Sequence, residues 1–76
     1  MSKAHYSASW ITYNLVHCID GNRDTLEERI ESEEDVVDLL NHYREAFGVD
    51  AQLLIECGQK EYTEEQFLRL REKEQQ

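Results

Sequence analysis

From Ser7 to Ile19 aromatic and β-branched residues alternate between two sets, and the run ends directly on Asp20-Gly21. Alternation of this kind marks a strand, and Asp-Gly supplies the positive φ angles of a tight hairpin turn. The chain is thereby committed early to an antiparallel hairpin on which everything later must pack. Ile11, Tyr13, Leu15, His17 and Ile19 share one face, and Trp10, Thr12, Asn14, Val16 and Cys18 the other. The first is the better core face, although the second, with a tryptophan, a valine and a cysteine, is no plain solvent face. A second strand over 23–31 turns Leu26, Glu28 and Ile30 inward. The four-residue spacing of Leu26 and Ile30, with Asp24 and Glu27 placed as a capping box, equally suits a short helix over 25–31; the turn signal favours the hairpin.

Ser32 then reads as a helix N-cap, followed by Glu33, Glu34 and Asp35, whose carboxylates meet the unpaired amides and positive dipole end of a first turn. Val36, Leu40, Tyr43 and Phe47, joined by Leu39, recur at steps of three and four and define the buried stripe of a helix over 33–47, which Gly48 closes. Ala51 to Cys57 is a short apolar strand, and 58–61 turns the chain. A last helix starts at Thr63 as N-cap, with Gln66 as its capping-box partner and Tyr62 placed to staple against Phe67. Beyond Leu70 it is wholly polar and should fray.

The expected fold is therefore a single α+β domain over 1–76 with element order ββαβα and flexible ends at 1–6 and 72–76. A right-handed crossover makes the second and third strands parallel. The first strand sits between them, giving a three-stranded, mainly antiparallel sheet of order 2-1-3. One main helix packs on one face, and the short C-terminal helix covers the opposite face in part. At 76 residues such a domain buries only a little over ~60% of its unfolded surface, so its stability is modest.

Composition narrows the function. Seventeen acidic residues against eight basic ones give a net charge of −9, which repels phosphate backbones and anionic lipid and attracts basic surfaces through a salt-sensitive field. Direct nucleic-acid binding is disfavoured. Two cysteines, Cys18 and Cys57, make no disulfide framework or paired zinc pattern, so reduced thiols are expected. The amino-terminal MSKAHYSAS has no hydrophobic signal core, and no apolar run approaches the ~20 residues of a membrane span. A cytoplasmic protein is expected.

Neither catalysis nor metal binding is announced. Three scattered glycines make no phosphate loop. His17 and Cys18 are adjacent in a strand and point to opposite faces, so neither activates the other, and His42 with Cys57 has no supporting context. His5, His17, His42 and the cysteines lack zinc spacing, and Asp20-Gly21-Asn22-Arg23-Asp24 does not continue as a calcium loop. No catalytic residue, cofactor or metal is assigned, and the expectation is a protein that is not an enzyme.

Two surfaces remain. Between Asp24 and Asp38 eight carboxylates stand among fifteen residues with only Arg29 opposing them. The candidate partner-binding band is Glu27, Glu31, Glu33, Glu34, Asp35 and Asp38, with Asp24 and Glu28 nearby. Carboxylates on rigid elements can stand in for a row of phosphates and occupy a basic groove built for nucleic acid; the plainer account is a solvated face with good helix-start electrostatics. The second surface is the outer sheet face with Trp10, Thr12, Val16 and Leu54, a possible apolar interface for a homodimer, or else a face covered by the last helix.

In size, acidity and the run IESEEDVVDLL entering a capped helix, the chain resembles the small acidic inhibitors that phages and mobile elements direct at host defence, anti-CRISPR proteins and DNA mimics among them. The resemblance is one of type and carries over no single residue. It implies stoichiometric binding of a basic, nucleic-acid-handling protein complex without turnover. The alternative is a structural or regulatory homodimer.

Overall fold

A computed structural model describes residues 11–74. The elements are β1 (Tyr13–Ile19), β2 (Asn22–Ile30), α1 (Glu33–Phe47), β3 (Gln52–Cys57), β4 (Lys60–Thr63) and α2 (Glu64–Glu74). The α+β class and the antiparallel sheet are as expected, and β1 lies between β2 and β3, antiparallel to both. The sheet has four strands in the order β2-β1-β3-β4, where three in the order 2-1-3 were expected. The added strand comes from the end of the segment assigned to a turn, 58–61, and from Tyr62 and Thr63 at the helix start. Cys57 pairs with Lys60, leaving Gly58-Gln59 as a two-residue turn, and the positive φ of 62° at Gly58 makes that reversal possible. The first strand starts at Tyr13, and its predicted Ser7–Trp10 portion lies outside the described residues.

The hairpin forms where Asp-Gly directs it. Ile19 pairs with Asn22, and Asp20 and Gly21 take φ of 50° and 83°, the pattern of a type I′ turn. β2 is a strand, not a helix, but it is an irregular one. Between Tyr13↔Ile30 and Leu15↔Glu27, and again between Leu15↔Glu27 and Val16↔Thr25, it carries one residue more than β1. These two bulges reset the alternation. Leu26 and Ile30 still pack into the core, whereas Glu28 is exposed and Glu27, directly opposite the buried Leu15, is half-buried. The expected inward set of Leu26, Glu28 and Ile30 is corrected accordingly.

Both helices start on the expected signals. Ser32 Oγ accepts from the Asp35 amide at 3.1 Å, and Thr63 and Gln66 exchange bonds of 3.0 and 3.1 Å in a capping box. Gly48 ends α1 at φ 101° and ψ 170°, an extended conformation of positive φ open mainly to glycine, with its amide donating to the Arg44 carbonyl. α2 extends to Glu74, and Arg71 in its last turns lies 3.5 Å from Glu33.

The core is one cluster of Leu15, Ile30, Val36, Leu40, Leu53, Ile55 and Phe67. Leu15, Val36 and Ile55 are fully buried, and each such side chain contributes roughly 1.5–3 kcal/mol. Phe67 belongs to this cluster and meets Tyr13 edge-on at 5.7 Å. α2 therefore lies beside α1 on the same sheet face and does not cover the opposite one. Ile11 and Ile19, assigned to the core face, are half exposed at the two ends of that face.

Candidate functional site

The acidic segment folds as the edge strand β2, a two-residue link and the first turns of α1. Glu27, Glu28, Glu31, Asp35 and Asp38, together with Arg29, Ile30 and Leu39, line one open groove between that strand and that helix. Asp35 and Asp38 are three apart on α1, a spacing that places neighbours about 5–6 Å from one another. The bulge between Glu27 and Ile30 has a visible support: Arg29 sits at φ 57°, and its amide donates to Asn14 Oδ1 at 3.1 Å. Asn14 thus holds in place the kink that turns Glu28 outward. The edge of β2 is twice bulged and acidic, a form of edge that resists pairing with another strand.

The six residues of the predicted band divide into two groups. Glu31, Glu34, Asp35 and Asp38 are exposed, and among the described residues no side-chain hydrogen bond or ion pair engages their carboxylates. Glu27 and Glu33 are used within the fold. Glu27 accepts from the Tyr43 hydroxyl at 2.7 Å; Glu33 accepts from the Tyr13 hydroxyl at 3.4 Å and faces Arg71 on α2. Glu33 and Glu34 do not line the groove, and Glu28 does.

The pKa of Tyr43 is raised, first by its hydrogen bond to Glu27, then by desolvation and by repulsion from the Glu27 charge. A group whose folded pKa is raised contributes stability that is complete below its unfolded value, about 10, and is lost as the pH climbs through the folded value. Stability should therefore fall above about pH 10, and Tyr43→Phe should show a shallower alkaline limb. Urea midpoints of both proteins at pH 8 and pH 11 check this; parallel limbs would remove the Tyr43–Glu27 bond from the account.

Tyr43 also begins an aromatic ladder. It stacks on Phe47 at 5.6 Å, and Phe47 stacks on His17 at 4.5 Å with only 10° between the rings. His17, buried at 9% exposure, is a core residue lying beneath Phe47.

On the opposite sheet face, Arg23 donates to Glu56 at 2.6 Å and to Glu61. Those two carboxylates, Glu61 foremost, hold its proton more tightly than usual. To reach β3 and β4 from β2, the side chain crosses the row containing Val16 and Leu54. Those two candidate interface residues are 1% and 7% exposed, so they offer almost no surface to a partner. Thr12 is half-buried, and Trp10 lies outside the described residues.

Arg44 was not singled out in the sequence. Its guanidinium donates to the carbonyls of Gly48 (3.2 Å), Val49 (3.1 Å) and Ala51, and to the Glu64 carboxylate of α2. One side chain thus satisfies the end of α1, fixes the loop into β3 and anchors the start of α2. A basic residue one turn before a glycine stop is the sequence signal for such a role.

Among the described residues no three His, Cys, Asp or Glu side chains are grouped to hold a metal ion, Cys18 and Cys57 are free thiols, and no helix is long and apolar enough to cross a membrane. No family model, curated protein or solved structure matches the chain. The functional reading rests on geometry and charge.

Proposed function

We infer that this protein is an acidic interaction module that binds, stoichiometrically and without turnover, a basic surface of a nucleic-acid-handling protein complex, as an inhibitor of the anti-CRISPR or DNA-mimic type would. The observation that carries this reading is the convergence of Glu27, Glu28, Glu31, Asp35 and Asp38 on one open groove from two rigid elements. Among the described residues Glu28, Glu31, Asp35 and Asp38 make no side-chain hydrogen bond or ion pair, and of these only Asp35 also serves the first turn of α1. Anions fixed in this way present a basic groove with a row of charges, as a phosphate backbone does, and the net charge of −9 adds long-range attraction. The homodimer alternative through the outer sheet face is the weaker of the two, because Val16 and Leu54 are already buried within the chain.

The test is a variant with Glu28→Gln, Glu31→Gln, Asp35→Asn and Asp38→Asn. Exposed ion pairs contribute roughly 0.2–1 kcal/mol each, so losing four should weaken partner binding about a hundredfold, with the melting transition nearly unchanged. A partner captured from lysate and identified by mass spectrometry should be released by moderate salt and should not be held by the variant. Capture that survives both salt and substitution would refute the acidic groove as the binding site.

A further inference from the structure

At the end of the molecule away from the α1 N-terminus, apolar side chains are displayed to solvent on a rigid base. Phe47 is 44% exposed, Ile19 50% and Val49 86%. The stacking of Phe47 on β1 and the course of the chain bring them to one end of the molecule. Phe47 lies flat on His17, two residues before Ile19 on the same strand face. The β1–β3 ladder, which pairs His17 with Leu53, ends at Cys18↔Gln52, one residue short of Ile19 and of Ala51, and Val49 precedes Ala51 by two residues in the loop into β3.

This loop is pinned in place. Arg44 bonds the carbonyls on either side of Val49 and that of Val49 itself. A valine this exposed on so firmly held a backbone costs little entropy to bury.

The surroundings decide what can cover it. Asp20 is in the adjoining hairpin turn, Asp24 is opposite His17 on β2, and Glu45 and Asp50 flank Phe47 and Val49 along the chain, all four exposed. A second copy would bring the same acids against these, an unfavourable apposition for a chain of charge −9. A cationic segment would meet complementary charge at the rim and apolar surface at the centre, which is the usual anatomy of an interface. From this patch the β2 edge leads through Asp24 and Glu28 to the acidic groove.

We propose that the Ile19–Phe47–Val49 surface receives the apolar anchor of a cationic polypeptide segment, whose basic residues continue along the β2 edge into the acidic groove. The proposal rests on the acidic-groove reading and adds the partner's second feature, a large apolar side chain beside its positive charges.

Anisotropy titrations with two fluorescein-labelled peptides test it. The peptides have equal length and arginine content, and one carries two central leucines where the other has alanines. The leucine peptide should bind about tenfold more tightly, the effect of burying a modest apolar area. Ile19→Thr/Val49→Ser should abolish that advantage and leave the alanine peptide's affinity unchanged. If wild type binds both peptides equally, and the groove amide variant binds neither, the apolar anchor is refuted while the acidic groove stands. If neither peptide binds wild type, both readings fall. Concentration-dependent dimerisation in sedimentation equilibrium, abolished by the double substitution, would assign the patch to a second copy and overturn the proposal.

Discussion

Leu15→Ala should cost about 3–4 kcal/mol and move the urea midpoint far down. Leu15 has no exposed surface and stands on the central strand, paired with Glu27 on one side and Ile55 on the other. It belongs to the cluster that also holds Val36 and Leu40 of α1 and Phe67 of α2, so a cavity there removes packing from both helices at once. Leucine-to-alanine changes at buried sites cost about 2–5 kcal/mol, more where the surroundings cannot collapse. A sheet held between neighbours on both sides collapses poorly. The whole stability of 76 residues is on the order of 5–10 kcal/mol, so this single change removes a third or more of it. Urea denaturation followed by circular dichroism measures the loss, with Val49→Ala, at a site 86% exposed, as a control expected to change little. A loss under about 1 kcal/mol at Leu15 would mean that the two helices do not share one core.

Arg44→Met should cost about 2–3 kcal/mol, and its effect should be local as well as global. The substitution keeps a long apolar stem and removes a fork that serves three carbonyls and Glu64. Hydrogen bonds involving a charged group contribute about 1.5–3 kcal/mol each, but these share donors and the side chain is a quarter exposed, so the sum is well below four times that figure. Hydrogen exchange should accelerate in 48–52 and in the first turn of α2, with smaller changes at the β1–β2 hairpin. Arg44→Lys should not restore protection, since a single ammonium cannot span acceptors on two elements. Full rescue by lysine would show that charge alone, not the planar fork, holds the loop.

Most of the architecture is legible in the sequence, because local signals and tertiary packing agree. Asp20-Gly21, Ser32, Gly48 and the Thr63–Gln66 box each do in the structure what their chemistry favours. The parts that could not be read are those where long-range pairing overrides a local pattern. Lys60 to Thr63 is short and polar, and it becomes a strand only because β3 offers it an edge. The bulges in β2 leave no mark in composition; they follow from the need to pack both Leu26 and Ile30 while Glu27 reaches Tyr43. α2 takes its side of the sheet with Phe67 buried in the shared core, while Arg71 meets Glu33 and Arg44 meets Glu64, pairs that sequence spacing cannot reveal.

The acidic band was visible as a charge run, but its division was not. Glu27 and Glu33 look like Glu31 and Asp38 until Tyr43 and Tyr13 are placed opposite them. Glu28 enters the groove only because Asn14 holds the kink beside it. Arg44 carries no signal beyond its distance from a glycine, and the exposure of Val49 is a consequence of the clamp it makes.

The bond from the Thr63 amide to Gln66 has a further effect on how the molecule behaves in a crowd. In a two-residue hairpin the flanking pair, Cys57 and Lys60, is hydrogen-bonded, so alternation directs the backbone groups of Glu61 and Thr63 away from β3 toward the open edge. Gln66 already occupies the Thr63 amide, which leaves the Glu61 amide as the strand's one outward donor. With β2 kinked at the far side, the sheet is terminated at both margins by its own chain. Strand-to-strand growth from one copy to the next is thereby disfavoured at either edge.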